Sequence, residues 1–374
     1  MANLMDYLDW RGDLRIADNV FNEVDSLILS GLSYADLEGA VPAPGQGETR
    51  LSEAAASFFS SHTEKELEED RSMIAYAPFI LKKAAGTARF RDMIVRNYVN
   101  IVDAERNLQF SAVEFVTDDG ISYVAFRGTD DTIVGWKEDF LFSCGIVPSE
   151  EYAADYLNLI HAGSGLMLRV GGHSKGGHLA VYASAMAKPE IRERIRSVFS
   201  FDGPGFREEF LQGEGFLAIR SRIRKLVPET SIVGMLLDQE APSKVVASSE
   251  KGIGQHQPLS WEVMGPSFVR LEELSDTAKL FSEAFQSWIG PVAPGERRAF
   301  VDDLFAVLEA PGLSTLTEYR NGGIKSLGVS YERLRQLDGK HQELLWLLIK
   351  LLGSEWTEQL KETLKSRIHF PARS

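Results

Sequence analysis

Residues 171–177, G-G-H-S-K-G-G, have the residue types and spacing of a serine nucleophile. Ser174 stands at the centre of a G-x-S-x-G pattern, which is typical of a sharp turn that presents a serine hydroxyl. An apolar run precedes this turn at 166–170, and a helix-prone run follows it at 179–187. A glycine-rich turn with a solvent-facing serine is the simpler alternative. The predicted order of strand, turn and helix favours the nucleophile.

A serine hydroxyl is a weak nucleophile until a base accepts its proton, and Ser174 therefore requires a histidine. His256 lies in a glycine-rich loop after the last predicted strand, and it follows the serine as the base does in α/β-hydrolases. We predict that His256 is the base. The other six histidines precede the serine, flank it or lie in the C-terminal tail: His62, His161, His173, His178, His341 and His369.

The base needs an acid that orients it and balances its charge. Asp202 follows a predicted strand at 197–201, and Glu229 follows the next one at 222–227. Both strand tips are acid positions in different α/β-hydrolases. Two glycines and a proline shape the loop after Asp202 and favour a fixed carboxylate there. Asp202 is the predicted acid, and Glu229 is the alternative.

Acyl transfer also needs hydrogen-bond donors for the oxyanion of the tetrahedral intermediate. The backbone N–H of Lys175 comes directly after the predicted nucleophile, at the start of a helix whose dipole favours negative charge. Thr129 follows an Arg-Gly pair at the end of another predicted strand, and it offers a backbone N–H and a hydroxyl. An ordinary strand end is the alternative for that segment. We predict that Thr129 and Lys175 form the oxyanion hole.

Alternating apolar residues at 112–117 and 121–126 flank an Asp-Gly pair and predict a β-hairpin, with the sheet beginning near Ser111. The following order of helices and strands predicts a mostly parallel sheet with an antiparallel edge. The predicted class is α/β, with helical additions at both ends. We predict a mostly helical region at 1–110 packed on the core, a catalytic core at 111–267 and a helical region at 268–374.

The two regions that flank the predicted core carry mixed patterns of helix and strand. Residues 24–30 fit a helix or a strand, whereas 64–83 predict a helix that Pro78 breaks or kinks. Near the C-terminus, 344–352 and 356–364 carry apolar residues at helical spacing. These last segments favour a bundle packed on the core, with a partner- or membrane-contacting surface as the alternative.

The composition limits the classes of partner. The 374 residues carry a net charge of −14, which disfavours nucleic acid and anionic membranes. No apolar stretch reaches the about 18 residues of a membrane helix, and no secretory leader is visible at Met1, so we expect a cytoplasmic protein. The single cysteine, Cys144, excludes an internal disulfide. No pattern of metal ligands or phosphate loop is present, and we expect neither a metal nor a cofactor.

Four segments, taken in this order, resemble the class 3 (fungal-type) lipases: residues 126–129, 172–177, 201–204 and His256 ahead of Trp261. The resemblance implies an α/β-hydrolase that acts on acylglycerols and related esters. It also implies that Ser174 is the nucleophile, that His256 is the base and that Thr129 serves the oxyanion hole.

The chain departs from the class 3 pattern at two positions. Those lipases usually carry leucine where Lys175 stands, and their acid lies in an Asp-x-Val-Pro segment, where this chain has Lys225. Asp202 resembles instead the acid position of pancreatic-type lipases. Residues 7–11 and 22–25 are similar to a bacterial domain family of unknown function that has a lipase-like core.

These patterns predict a serine hydrolase of carboxylic esters, with a small-molecule ester or a lipid as substrate. A short acyl ester, a lysophospholipid and a thioester all fit, and so does acyl transfer to an acceptor other than water. The alternative is a non-catalytic lipase-like protein that binds a partner through its helical C-terminal region. The sequence leaves the formation of a homo-oligomer open.

Overall fold

A nine-stranded sheet forms the centre of the molecule in the computed structural model, and helices cover both of its faces. The structure describes residues 1–70, 72–130, 132–237, 241–276, 278–280, 282–283, 292–315, 318, 329–330 and 332–337. The strands are β1 Glu48–Arg50, β2 Ile94–Asp103, β3 Leu108–Val116, β4 Ser122–Phe126, β5 Leu168–His173, β6 Ile195–Phe201, β7 Ile223–Pro228, β8 Lys244–Val246, β9 Val263–Met264, β10 Ser267–Phe268 and β11 Arg270–Leu271. The helices are α1 Leu4–Arg11, α2 Glu23–Leu32, α3 Leu51–Ser61, α4 Glu64–Glu69, α5 Ala77–Ala84, α6 Ile133–Leu141, α7 Pro148–Ile160, α8 Lys175–Met186, α9 Pro189–Arg192, α10 Glu208–Leu211, α11 Glu214–Ile219 and α12 Pro294–Glu309.

The order of the strands across the sheet is β1-β2-β3-β4-β5-β6-β7-β8-β11. Strands β4 to β8 are parallel to their neighbours, whereas β1 to β4 and the β8–β11 pair are antiparallel. The predicted hairpin joins β3 to β4, with Val116 opposite Ser122 and Gly120 at a φ of 75° in the turn. The predicted α/β-hydrolase fold is therefore confirmed, with a mostly parallel sheet and an antiparallel edge.

The sheet begins earlier in the chain than predicted. Strands β1 and β2 precede Ser111, and the boundary predicted after residue 110 falls inside β3. Asn97 in β2 has a φ of 59°, where the register with β3 shifts between Arg96 and Val99. This bulge interrupts the alternation of apolar and polar residues on which the prediction of a strand depends.

Alternate side chains of the central strands enter two separate cores. In β4, Tyr123 and Ala125 pack in the cluster formed with the N-terminal helices. Val124 and Phe126 face the opposite cluster, which α7 and α8 help to form. All four side chains are fully buried, as expected for a parallel sheet covered on both faces.

The N-terminal helices are attached to the sheet by buried polar contacts as well as apolar ones. Residues 24–30, which fit a helix or a strand, lie in α2, and the hydroxyls of Ser26 and Ser30 are 2.7 and 2.9 Å from that of Tyr123. Arg89 donates to both oxygens of Asp25 at 2.6 Å, and the two side chains are fully buried. The segment that resembles a bacterial domain family thus contributes an internal ion pair.

Pro78 lies in the first turn of α5, and the predicted helix over 64–83 is divided into α4 and α5. The missing N–H of proline costs nothing in a first turn, where that donor has no partner within the helix. The helix predicted from Phe268 onward is wrong at its start, because β11 pairs there with β8. The segments 344–352 and 356–364 lie outside the described residues.

Helix α12 is the longest described element of the C-terminal region, and it packs on α6. Phe300 and Phe305 share a buried cluster with Ile133 and Leu141, and Phe305 meets Phe140 edge-on with the ring centroids 5.8 Å apart. Among the helices that the structure describes, none combines the length and apolar character needed to cross a membrane.

Candidate active site

Ser174 alone makes the turn between β5 and α8. Its backbone has a φ of 58° and a ψ of −133°, a conformation that residues with a side chain rarely adopt. The Ser174 N–H donates to the carbonyl oxygen of Phe201 in the neighbouring strand at 2.8 Å. The side chain is 6% exposed. The surrounding sheet therefore holds the serine in a strained turn beside a cavity.

The glycines around Ser174 are required by the close approach of three backbone segments. A Cβ atom on Gly172 would lie 2.2 Å from the backbone of Gly176, and one on Gly176 would lie 2.1 Å from the Phe126 carbonyl oxygen. A Cβ on Gly128 would lie 2.5 Å from the carbonyl oxygen of His173. No side chain fits at these distances. The two motifs recognised in the sequence are therefore packed against each other.

The structure brings His256 and Asp202 together. His256 Nδ1 lies 2.6 Å from Asp202 Oδ2, and both side chains are buried. The other oxygen of Asp202 accepts from the Ser231 hydroxyl at 2.5 Å and from the Gly234 N–H at 3.2 Å. Burial raises the pKa of Asp202, but the hydrogen bond and charge of His256 and the bond from Ser231 outweigh it and keep that pKa below its usual range.

An ionised Asp202 accepts a hydrogen bond from the N–H at Nδ1 of His256. In a neutral ring, Nε2 then carries the lone pair that can accept a proton. Glu229, the alternative acid, is exposed at the end of β7. Its backbone N–H donates to the Val246 carbonyl at 3.1 Å, and its carboxylate bonds to none of the described residues. Only Asp202 of the two carboxylates contacts the imidazole.

His256 ends a short 3₁₀ helix, Gly252–His256, where the sequence predicts a glycine-rich loop. The neighbouring Gln255 fixes this segment through its backbone and its side chain. Its carbonyl accepts from Trp261 Nε1 at 2.9 Å, and its Oε1 accepts from the Thr230 N–H at 2.7 Å. The imidazole is therefore carried on a segment that is bonded to the core.

His173 precedes the serine and binds the backbone of His256. Its Nε2 lies 2.8 Å from the His256 carbonyl oxygen, and its Nδ1 lies 3.0 Å from the Tyr34 hydroxyl. Burial lowers the pKa of His173 to about 3, so the ring is neutral. Sequence patterns place His173 beside the serine but give no signal for Tyr34, which lies 139 positions earlier.

The remaining described histidines are engaged elsewhere. His178 stacks between Phe142 and Phe206, with ring centroids 4.0 Å apart in each pair. His161 is fully buried near Glu114, and His62 stacks on a phenylalanine of α3. His341 and His369 lie outside the described residues. Among the described histidines, His256 is the one that contacts Asp202.

Two backbone N–H groups are the predicted donors to an oxyanion. Those of Thr129 and Lys175 donate to no other described residue. The Thr129 hydroxyl donates to Asp139 Oδ2 at 2.5 Å, and Asp139 has no sequence signal beyond its place in α6. Burial raises the pKa of Asp139 to about 7, against the opposing effect of the nearby Lys175 charge. A protonated Asp139 can donate a hydrogen bond to the Thr129 hydroxyl oxygen. The threonine O–H can then donate its own hydrogen bond toward the cavity.

The side chain of Lys175 is fully buried, where class 3 lipases usually carry leucine. Its Nζ donates to Glu138 Oε2 at 2.7 Å and to the backbone carbonyl of Gln109 at 2.7 Å. Glu138 also accepts from the N–H groups of Gln109 and Ser149 at 3.1 and 3.0 Å. This ion pair joins the turn at Ser174 to α6, which follows the segment of Thr129.

A cavity of about 20 Å³ lies over Ser174. Its lining residues are Tyr34, Met73, Ile74, Tyr76, Thr129, Trp136, His173, Ser174, His256 and Gln257. Ser174 Oγ makes no hydrogen bond to the imidazole of His256, although both residues line this space. Bonds of this kind are often long in ligand-free sites and shorten when substrate binds. No three His, Cys, Asp or Glu side chains of the described residues form a group that could hold a metal ion.

Comparison with known proteins identifies a family and distant structural likenesses. A family model described as Mbeg1-like matches residues 84–306, more than half of the chain. No curated protein matches the chain. A fungal lipase in an inhibitor complex is 15% identical, with a TM-score of 0.39 over 68% of this chain and 86% of that one. M37 lipase is 15% identical, with a TM-score of 0.37 over 71% and 81% of the two chains. The extracellular lipase LipA from Serratia marcescens is 15% identical, with a TM-score of 0.31 over 75% and 50%.

Proposed function

The chain belongs to the Mbeg1-like family, and we propose that it is a serine hydrolase that cleaves carboxylic esters through an acyl-enzyme on Ser174. The observation that carries this proposal is the 2.6 Å contact between His256 Nδ1 and Asp202 Oδ2 beside a strained serine. Serine, base and acid on these elements form the arrangement that activates a hydroxyl for acyl transfer.

In the acylation step, Ser174 Oγ attacks the ester carbonyl carbon while its proton passes to His256 Nε2. The resulting imidazolium is stabilised by Asp202, which remains ionised. The tetrahedral intermediate collapses when the bond between carbon and the leaving oxygen breaks. The alcohol takes the proton from His256, and the acyl group stays on Ser174.

In the second step, a water molecule gives a proton to His256 and attacks the acyl carbon. Collapse of this intermediate breaks the bond to Ser174 Oγ, which recovers its proton, and the carboxylic acid leaves. In both steps the negative charge develops on the former carbonyl oxygen. The N–H groups of Thr129 and Lys175 stabilise it there, and the Thr129 hydroxyl adds a third donor when Asp139 is protonated.

The experiment is intact-mass labelling with a fluorophosphonate probe, which reacts with activated serines. We expect one adduct on the wild type and none on Ser174→Ala. Asp202→Asn should slow labelling by about 10³–10⁴-fold, because an amide favours the wrong tautomer of the base. His256→Ala should slow it at least as much, since no base remains.

Glu229→Gln is the matched control, because it neutralises the other strand-tip carboxylate without touching His256. Its labelling rate should equal that of the wild type. A folded wild-type protein that the probe does not label would contradict the hydrolase and favour a non-catalytic protein that binds a partner. Equal rates for Asp202→Asn and the wild type would exclude the proposed acid.

A further inference from the structure

Two buried hydrogen-bond donors in the wall of the cavity have no partner among the described residues. They are the hydroxyl of Tyr76 and the indole Nε1 of Trp136. Tyr76 is 9% exposed. Two other polar side chains of the same wall are paired: the Tyr34 hydroxyl binds His173, and Gln257 Nε2 donates to the Met73 carbonyl at 2.6 Å.

An unpaired buried donor destabilises the folded protein, and native proteins leave few of them. Burial raises the pKa of Tyr76 well above its usual value, so the hydroxyl stays protonated and can donate a hydrogen bond. The indole N–H of Trp136 can only donate. Tyr76 and Trp136 both line the space that also holds Ser174 and His256, and their donor atoms are buried in its wall. A ligand atom that pairs with these two donors must therefore be a hydrogen-bond acceptor. It must also lie close to the ester carbonyl carbon that Ser174 attacks.

We propose that this site takes short-chain esters that carry a second, neutral oxygen acceptor, such as an ether, hydroxyl or keto oxygen, which Tyr76 and Trp136 bind. This inference rests on the proposed ester hydrolysis and names its substrate class. Tyr76 and Trp136 determine specificity and not the reaction itself, because they bind the second oxygen, whereas the bond that breaks is at the carbonyl carbon beside Ser174.

The charges around the cavity favour a neutral acceptor over an anionic one. None of the ten lining residues is a lysine or an arginine. The buried ammonium of Lys175 is paired with Glu138 at 2.7 Å. Arg127 donates to Asn100 at 3.0 Å and to Asp130 at 3.5 Å. Among the described residues a carboxylate or phosphate would lose its hydration without gaining a free cation, which is strongly unfavourable.

The size and lining of the cavity favour a short chain. The free space over Ser174 is about 20 Å³, close to that of one water molecule, so an ester must displace part of the lining in order to bind. Met73 and Ile74 form part of the apolar wall. A long acyl chain would have to displace more of this wall than a chain of a few atoms. The polar acceptor must therefore lie within the first few atoms from the ester carbonyl.

The test uses two pairs of p-nitrophenyl esters that differ by one CH₂ replaced with oxygen. These are butanoate against methoxyacetate, and pentanoate against 3-methoxypropanoate. The ratio of kcat/KM for the ether ester to that for the alkyl ester is measured for the wild type, Tyr76→Phe and Trp136→Phe. The intrinsic reactivity of each ester cancels when the ratio is compared between variants.

We expect the ratio to fall about tenfold in Tyr76→Phe for at least one pair, the size of one lost hydrogen bond, and to fall also in Trp136→Phe. Tyr152→Phe is the matched control, because it removes a tyrosine hydroxyl from the exposed side of α7. Its ratio should equal that of the wild type.

Ratios in both cavity variants that equal the wild-type ratio for both pairs would overturn the inference while ester hydrolysis itself stands. A wild-type protein that hydrolyses none of the four esters and takes no fluorophosphonate label would instead overturn the proposed function, and this inference with it. If one variant does not fold, the other still decides the result.

Discussion

His173 Nε2 donates a hydrogen bond to the backbone carbonyl of His256 at 2.8 Å, and the two rings lie 4.5 Å apart. A neutral imidazole has one N–H, so the other nitrogen of His173 accepts from Tyr34. The residue before the proposed nucleophile therefore holds the backbone of the residue proposed as its base. This contact links the turn at Ser174 with the 3₁₀ helix that carries His256.

His173→Phe should slow fluorophosphonate labelling of Ser174 about tenfold, because a phenyl ring fills the space but cannot hold the His256 carbonyl. Labelling rates and circular dichroism on the same samples separate this effect from unfolding. Tyr34→Phe removes the hydroxyl contacts to Nδ1 and to the carbonyl oxygen of His173 but keeps the bond to His256, and it should have the smaller effect. A His173→Phe protein that reacts at the wild-type rate would show that the contact does not position the base.

Lys175→Met should lower the free energy of unfolding by about 3–5 kcal/mol, because it leaves the buried charge of Glu138 without its cation. The double variant Lys175→Met/Glu138→Gln should recover part of this loss, since the glutamine is neutral. Urea denaturation measures both. A loss below about 1 kcal/mol in the single variant, a value typical of exposed ion pairs, would contradict the buried pair.

Thr129→Val should reduce kcat by about 10²–10³-fold, the usual effect of removing one oxyanion donor. Valine keeps the shape of threonine and the backbone N–H but lacks the hydroxyl. Thr129→Ser restores the hydroxyl and should stay within a few-fold of the wild type. Turnover of a p-nitrophenyl ester under saturating conditions is the measurement. Equal kcat values for the valine and serine variants would assign the oxyanion to backbone donors alone.

Stability should fall as the pH falls from about 6.5 to 4, in part because of His161. Burial lowers the pKa of this histidine to about 4, so in this window the unfolded chain binds a proton that the folded chain does not. Its contribution to the slope approaches about 1.4 kcal/mol per pH unit. His161→Gln should flatten the curve of unfolding free energy against pH, measured by urea denaturation. Parallel curves for the two proteins would contradict the lowered pKa.

Local sequence alone determined the turn at Ser174 and the hairpin β3–β4. Both depend on glycine at positions where a neighbouring backbone or a positive φ excludes a side chain, as at Gly172 and Gly120. Such requirements are visible within a few residues of the chain. The strand β2 was missed because its bulge at Asn97 interrupts the period-two pattern.

The tertiary structure decided the contacts between residues far apart in the chain. Asp202 and Glu229 both follow predicted strands, and the pattern around them could not separate their roles. The fold places Asp202 against His256, 54 positions later, and leaves Glu229 in solvent. Likewise Lys175 is buried only because Glu138, 37 positions earlier, lies across from it in α6. Side-chain contacts at such separations depend on how the helices pack on the sheet, and local residue patterns do not encode that packing.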